Sequence, residues 1–558
     1  MFTRHYPYWP PGMSHEHEVP TRSVYMNVAA GAAERPDTTA IYYYGTRISY
    51  ARLKSEADAL AGYLQQRCGV RKGDRVLLYI QNCPQSVIAY FGILRADAVV
   101  VPVNPMNLTE ELHHYVADAD AAIAIVGQER LERIVPLLGS SKLKKIIVAA
   151  CSDYVEQPKL FPLPDFVAAP REKPAHKDVV LWSDALAAGC QPGPHTAGPQ
   201  DLAVMPYTSG TTGKPKGCMH THSNVQSTAS VYLRWRGATD GGTVTLSALP
   251  MFHVTGMQAG MNGPLYRGST IVVMSRWDRD CAGMLIEKAK ITNWSAITTM
   301  LVDFLSNPNL ERYDLSSLQV LGGGGAAMPE ALAAKLEKKF GLPYIEGYGL
   351  SETMAPTHIN PPHRAKKQCA GIPIFNTDAR VVDIEDFSEK GPNEVGEIIV
   401  QGPQVFQGYW KQPEATAQAF IQHDGKRFFR TGDLGYYDEE GYFFITDRLK
   451  RMINCSGFKV WPAEVEASLY GHPDIQEACV IATLDGYRGE TVKAVVVLKK
   501  DSKGKVSGQQ ISDWARERMA AFKVPRVVQF VDELPKTATG KILWRKLQEE
   551  EYRNRKAS

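Results

Sequence analysis

The sequence has no C-x-x-C pair; its nine cysteines (Cys68, Cys83, Cys151, Cys190, Cys218, Cys281, Cys369, Cys455 and Cys479) are scattered along 558 residues. That spacing excludes a paired-cysteine zinc framework or a clustered disulfide scaffold, and a reducing compartment is expected. No stretch approaches the roughly eighteen apolar residues of a membrane-spanning helix, so no integral membrane segment is expected. The opening "MFTRHYPYWPPGMSHEHEVP" is aromatic and proline-rich but lacks the apolar centre of a signal peptide. The last residues, Lys556-Ala557-Ser558, are not the peroxisomal tripeptide, and the cytoplasm is the expected location. An excess of one charge is missing too: 63 basic residues face 60 acidic ones, a net +3 with no long block of either sign. Nucleic acid is therefore not an expected partner.

What is present is ample core for more than one domain: 44% of residues are hydrophobic and 22% charged. Short apolar runs alternate with amphipathic segments. "DRVLLYI" (74–80) and "AVVVPV" (98–103) read as buried strands. Residues 50–67 read as a helix with Leu53, Ala57, Leu60 and Leu64 on one face. A Pro/Gly-rich stretch at 190–201 reads as a connection between subdomains. After it, "LAVMPY" (202–207) reads as a strand feeding a glycine-rich loop, and Ser223 or Asn224 is the expected cap of a following helix. Strand, glycine loop and helix form the α/β pattern in which backbone N–H groups gather for an anion. From Asp447 the pattern changes to a charged segment followed by a small α+β region.

The loop itself is "YTSGTTGKPKG" (207–217). Its glycines let the backbone approach a ligand, its hydroxyls donate to oxygens, and Lys214 supplies charge. It is not a P-loop, because Gly210 and Gly213 stand too close together and Lys214 is followed by Pro215. Taken alone, such a stretch is also what a plain surface loop looks like. Three further segments bear on the choice. "YGLSET" (348–353) places a ring, a glycine, a carboxylate and two hydroxyls together. "RTGDLG" (430–435) puts Asp433 in an expected turn, where a carboxylate takes both hydroxyls of a ribose. "PKTATGKILWRKL" (535–547) puts Lys541 after a glycine turn and before a terminal helix.

In this order and spacing the segments resemble the acyl-adenylate-forming (AMP-binding) superfamily, which includes acyl-CoA synthetases, firefly-type luciferases and peptide-synthetase adenylation domains, and most of all its fatty acyl-CoA synthetases. The resemblance runs from "ISYARL" (48–53) to Leu547. It implies an α/β fold: a large multi-subdomain N-terminal domain over 1–447 and a small mobile α+β domain over 448–558. It implies ATP, Mg2+ and coenzyme A, with a small carboxylic acid as the other substrate. It implies that Thr208, Ser209, Gly210, Thr211, Thr212, Gly213 and Lys214 contact the β- and γ-phosphates, with Thr208 also near magnesium. Gly324, Gly325 and Ala326 line the adenine, and Gly347 and Tyr348 stack on its other side. Glu352 ligates magnesium, and Ser351 and Thr353 lie by the α-phosphate or the metal. Asp433 holds the ribose with support from Arg448. Lys541 bridges the substrate carboxylate and the α-phosphate, where two anions meet. Asp447 sits at the implied hinge with Lys450 as the near alternative, and Gly457 lines a tunnel for the pantetheine arm. Several luciferases and plant ligases have lysine where this chain has Asn454, so no second-step charge is assigned there.

"LPMFHVTGMQAGM" (249–261) resembles the segment lining the acid pocket. Amino-acid-activating relatives carry an aspartate here, and this stretch has no acidic residue, so a buried ammonium would lack a partner. Met251, Met257 and Met261 among glycines suit an adaptable apolar cavity, with His253 and Met257 expected at the acid. A medium- or long-chain fatty acid is the first expectation; aryl or branched acids and a luciferase-like oxygenase are the alternatives. "AITTM" (296–300) lacks the proline common there, so that wall is expected to differ. "HEHE" (15–18) reads as a solvated tail rather than a metal site, and His222 as structural. With eleven residues after Leu547, a carrier domain and hence a peptide-synthetase module are not expected, and a homodimer is left open.

Overall fold

The computed structural model describes residues 1–208, 214–235, 242–325, 328–448, 451–455, 458–485, 489–537 and 542–557. By compactness the chain divides into two units, Met1–Asp378 with Val400–Phe429, and Ala379–Ile399 with Arg430–Ser558. The expected boundary at 447/448 falls within the second.

Two mixed sheets organise the first unit. One runs, in spatial order, Ile372–Pro373, Ala355–Ile359, Tyr344–Leu350, Val320–Gly324, Asn293–Ser295, Val244–Ser247, Thr270–Val273, Thr39–Tyr43 and Thr46–Ser49. Its centre, from Tyr344–Leu350 to Thr39–Tyr43, is parallel. The other runs Gly408–Tyr409, Lys216–Thr221, Leu202–Val204, Val99–Pro102, Arg75–Tyr79, Ile123–Gly127, Lys145–Ala149 and Val179–Leu181. Strand alternation explains why the apolar runs are continuous: Val76 and Leu78 enter one core, while Leu77 and Tyr79 enter another. The first core also holds Leu53, Leu60, Val87 and Phe91 from helices Tyr50–Gln66 and Pro84–Arg95. Ser49 caps the former, its hydroxyl accepting from the Arg52 N–H at 3.2 Å.

Two expectations are corrected. The helix after the glycine loop is capped by neither Ser223 nor Asn224. Thr221 Oγ1 accepts from the Asn224 N–H at 3.2 Å, and Asn224 Oδ1 accepts from the Thr221 N–H at 2.9 Å, a reciprocal box that starts the helix His222–Trp235 earlier. The loop does not lead into that helix either: Lys216–Thr221 intervenes as a strand, pairing Lys216 with Thr208 and Gly217 with Tyr207. The loop is thus a hairpin connection, and no helix N-terminus follows it directly. At the N-terminus, His15, Glu16 and Glu18 are exposed as expected, while His17 and the aromatic stretch before them pack against the first unit. Trp9 meets Trp235 and Phe375 edge-on at 4.6 and 5.2 Å, and His17 Nε2 pairs with Ser230 Oγ at 2.8 Å. Burying its aromatic rings is what the tail gains.

The 190–201 connection lies inside the first unit, strapped along Tyr50–Gln66. A Cβ on Gly62 would come within 2.4 Å of the Cys190 carbonyl, so only glycine admits the strap. Asp97 accepts from the Thr196 N–H and hydroxyl and from the Ala197 N–H, and lies 2.6 Å from His195 Nδ1. Despite burial, these partners hold its carboxyl down at about 2.

In the second unit, the C-terminal half of Lys426–Tyr437 pairs antiparallel with Phe443–Arg448. A further sheet orders Phe458–Val460, Ile453–Cys455, Gly489–Leu498 and Ile475–Asp485, with Val527–Phe530 parallel to Gly489–Leu498. Val480 and Ala494 face Val465, Leu469 and Ile511 of helices Pro462–Leu469 and Gly508–Arg516. The alternate residues Cys479, Ile481, Val495 and Val497 face Leu534 and the terminal helix Trp544–Ala557. Among the described residues, no helix is long and apolar enough to cross a membrane.

Candidate active site

Segments far apart in sequence converge at the C-terminal ends of the first unit's strands. Parallel pairing brings Gly324 opposite Gly347, so the two glycine-bearing stretches lie side by side. A Cβ on Gly324 would stand 2.2 Å from the Gly347 carbonyl oxygen, and one on Gly323 would stand 2.1 Å from that of Ala296. Gly325 adopts φ +99°, a conformation that L side chains rarely adopt. The result is bare backbone on which a flat ring can lie, flanked by Tyr348, whose ring sits 5.7 Å from that of His358. Beneath it the buried Glu346 accepts from the Met328 and Gln368 N–H groups at 3.2 and 3.0 Å. Burial pushes its carboxyl up to about 7 against those two bonds.

The hairpin reaches the same region. His220, on its exit strand, lies 2.7 Å through Nε2 from the Ser351 carbonyl. Tyr409 pairs with Cys218 on the neighbouring strand and donates its hydroxyl to Glu352 Oε1 at 2.9 Å. The Lys216 ammonium stands 5.2 Å over the Tyr409 ring. Burial and the Glu352 charge push the Tyr409 hydroxyl well above its usual range. Glu352 sits in a short turn, Ser351–Thr353, followed by Met354 and Ala355 at φ +49° and +72°. Two consecutive left-handed residues without glycine are strained, and they adjoin the one carboxylate of this segment. Thr353 Oγ1 holds the turn, accepting from the Leu350 N–H and donating to the Ala355 carbonyl.

The segment expected to line the acid pocket is tied to this turn. Gln258 Nε2 donates to Thr228 Oγ1 at 2.8 Å, and that hydroxyl donates to the Met354 carbonyl at 3.1 Å. The segment is not a regular helix: Val254–Met257, a π-turn over Gln258–Asn262, then Gly263–Tyr266. Pro264 has no N–H to give the Gly260 carbonyl, which accepts instead from Ser247 Oγ at 2.5 Å. Asn82 fixes the start, donating to the Leu249 carbonyl at 2.9 Å and accepting from the Met251 N–H at 2.8 Å. Met251, Met257 and Met261, with Leu78, Tyr90 and Phe252, line a cavity of about 10 Å³. His253 accepts from the Thr255 N–H through Nδ1 and caps Val254–Met257.

Residues 28–410 match the AMP-binding enzyme family, and residues 464–541 match the AMP-binding enzyme C-terminal domain. The chain belongs to the AMP-binding enzyme family. A long-chain-fatty-acid–CoA ligase of Bacillus subtilis (strain 168) is 38% identical over 559 residues, 98% of each chain. A feruloyl-CoA synthase of Amycolatopsis sp is 34% identical, covering 91% of this chain and 95% of its own. ATP-bound MatB from Rhodopseudomonas palustris superposes with a TM-score of 0.81 at 29% identity, covering 95% of this chain and 99% of its own. The superfamily and the α/β architecture expected from the motifs are thereby established, and this AMP-binding enzyme is an AMP-forming acid–thiol ligase.

Of the expected site residues of this AMP-binding enzyme, Ser209, Gly210, Thr211, Thr212, Gly213, Ala326, Lys450, Gly457 and Lys541 lie outside the described residues. Thr208 and the exposed Lys214 border the hairpin loop. In the second unit Asp433 is not in a turn but in the strand Lys426–Tyr437, ahead of a bulge, and its partner in register is Arg448. The glycine that suggested a turn, Gly432 (φ +68°), donates its N–H to Glu397 Oε1 at 3.1 Å, and Arg430 also pairs with Glu397 at 2.7 Å. Sequence reasoning missed Tyr409, Asn82, Thr228 and Glu346. No local spacing points to them, because each acts on a segment distant in sequence.

Burial also leaves histidines of this first unit uncharged. His220 and His222 are held down at about 4, and His5 and His358 at about 3. Because the folded values lie below the ordinary 6.5, the stability they contribute is full above that pH and is lost as pH falls through about 4. Thermal melts should therefore drop steeply between pH 6.5 and 4. His220→Gln, which keeps a donor for Ser351 but cannot titrate, should remove on the order of 3 kcal/mol of that dependence. An unchanged pH slope in the variant would contradict this.

Proposed function

We propose that the enzyme activates a medium- or long-chain fatty acid in two steps. A carboxylate oxygen attacks the α-phosphorus of ATP, the bond to the β-phosphate oxygen breaks, and pyrophosphate leaves. The coenzyme A thiol then attacks the acyl carbon, loses its proton, and AMP leaves. In this reading Thr208 through Lys214 hold the departing phosphates. Gly324, Gly325, Ala326, Gly347 and Tyr348 enclose the adenine, Asp433 and Arg448 hold the ribose, and Ser351 and Thr353 adjoin the α-phosphate. Lys541 stands between the two anions in the first step. A division at 447/448, with its pivot at Asp447 or Lys450, exchanges Lys541 for Gly457 and the thiol tunnel before the second. The bare glycine backbone and the buried oxygen donors fit ATP and a hard cation. Glu352 and Thr208 would hold magnesium, which when bound neutralises phosphate charge. Scattered cysteines, all nine unpaired, support a reducing, cytoplasmic setting.

The observation that carries the substrate assignment is the cavity lining: three methionines, Leu78, Ile80, Pro102 and two aromatic rings, with no acidic residue. Unbranched thioethers can repack to admit an acyl chain that the present cavity of about 10 Å³ does not hold. The fatty-acid ligase relatives support the same reading. An aryl acid is the second reading, favoured by Tyr90 and Phe252 in the lining and by the feruloyl-CoA synthase relative. Met257→Trp tests the choice. Filling the fully buried Met257 position should shorten the preferred straight chain by several carbons, each CH₂ costing about 0.8 kcal/mol of burial. An unaltered chain-length profile would show that Met257 does not face the acyl group.

A further inference from the structure

The terminal helix Trp544–Ala557 is docked by polar contacts that the proposed chemistry does not use. The sheet face it covers changes character along its length. Cys479, Ile481, Val495 and Val497 are apolar, and at one end the same face carries Thr483 and Lys493. The helix matches that sequence turn by turn. Trp544 and Leu547 meet the apolar end, and Glu551 meets the polar end, accepting from the Thr483 hydroxyl and pairing with the Lys493 ammonium at 2.5 Å. Both charged side chains are less than a tenth exposed. Between them Gln548 takes both backbone groups of Ala482: its Oε1 accepts from the N–H at 2.8 Å and its Nε2 donates to the carbonyl at 2.7 Å. Ile475–Asp485 is an edge strand in this sheet, and the amide takes the outward backbone groups of Ala482 as Glu466 and Arg451 take those of Val480.

A buried pair of this kind adds little net stability over well-packed apolar side chains, but it penalises every other alignment. Sliding the helix by one turn, about 5.4 Å, would strand both charges. The segment just before the helix is clasped at its base. Lys536 bridges Ile542, the Leu543 N–H donates to the Pro535 carbonyl at 2.8 Å, and Lys536 pairs with Glu477 at 2.5 Å. Lys541 immediately precedes Ile542 in sequence. We propose that Lys493, Glu551 and Gln548 are positioning residues that set the axial register of the terminal helix and so the reach of Lys541 in adenylation. The inference rests on Lys541 being the adenylation cation.

The test compares full-length wild type, Lys541→Ala, the double variant Lys493→Met/Glu551→Leu, and Gln548→Ala. Each is assayed for acid-dependent pyrophosphate release, and separately for thioester formation from synthetic acyl-adenylate plus coenzyme A. Apolar replacement removes both charges together but leaves the buried Thr483 hydroxyl without its acceptor, so a modest fall in melting temperature is expected, and Gln548→Ala serves if the double variant does not fold. Both positioning variants should lose adenylation by on the order of tenfold to a hundredfold while thioester formation proceeds at the wild-type rate. Undiminished adenylation, or equal loss of both half-reactions, in these variants overturns the proposal. If Lys541→Ala itself keeps adenylation, it is the role of Lys541 that fails.

Discussion

Lys541→Ala is expected to abolish acyl-adenylate formation and to leave thioester formation from preformed adenylate close to wild type. The first step brings a carboxylate against a triphosphate, an approach of two anions that stalls without a cation between them. Two unit charges about 4 Å apart at an effective dielectric constant near 20 interact by about 4 kcal/mol, so losing the ammonium should slow adenylation roughly a thousandfold. In the second step a thiol attacks the neutral acyl carbon of a mixed anhydride, the carboxylate charge having left with pyrophosphate, and that demand disappears. Neutral residues elsewhere do not predict such a split, because a damaged fold slows both steps alike. Measuring the two half-reactions on one preparation decides the matter, and equal losses would make the lysine a structural residue.

Gly324→Ala should remove ATP-dependent activity almost as completely, for a steric reason. The added carbon would sit 2.2 Å from the Gly347 carbonyl oxygen. Both atoms belong to paired backbone, so neither can swing aside as a flexible side chain would. The strands must part, and the bare surface proposed for adenine is lost with them. Gly347→Ala is the informative companion, since its Cβ would come no closer than 3.2 Å to any neighbour, the nearest being the His358 carbonyl. It should fold normally and raise the KM for ATP by on the order of tenfold, about 1.4 kcal/mol, with the KM for the acid unchanged. If Gly347→Ala leaves the KM for ATP alone, the ring does not lie on this strand pair.

The parts of the fold legible in the sequence are those encoded locally. Leu53, Ala57, Leu60 and Leu64 recur at helical spacing, and all four are buried in Tyr50–Gln66. The apolar runs at 74–80 and 98–103 became strands with both faces covered. Collinear motifs pointed to the family and to the stretches that Gly324, Gly347 and Glu352 bring together. Pairings between distant strands were not legible. Tyr409, 57 residues from Glu352 in sequence, reaches it only because Gly408–Tyr409 adds to the edge of Lys216–Thr221. The glycine of "RTGDLG" suggested a turn, but Glu397 takes its N–H and a strand continues through it. Thr221 outcompeted Ser223 and Asn224 as a cap because Asn224 could answer it as the reciprocal partner. Asn82 carries no motif, although it holds both ends of the turn that opens the proposed acid pocket.

The most direct test of the account is kcat/KM for coenzyme A-dependent thioester formation with pyrophosphate release across a panel of acids. The panel runs from acetate and butyrate through medium and long straight chains, with benzoate, ferulate and amino acids alongside. An apolar cavity without a counter-charge should give values that climb steeply with chain length, on the order of 0.8 kcal/mol per buried CH₂, and level where the cavity ends. Amino acids should release no pyrophosphate. A profile that peaks at acetate, benzoate or ferulate, or strong activity with any amino acid, would contradict the fatty-acid assignment.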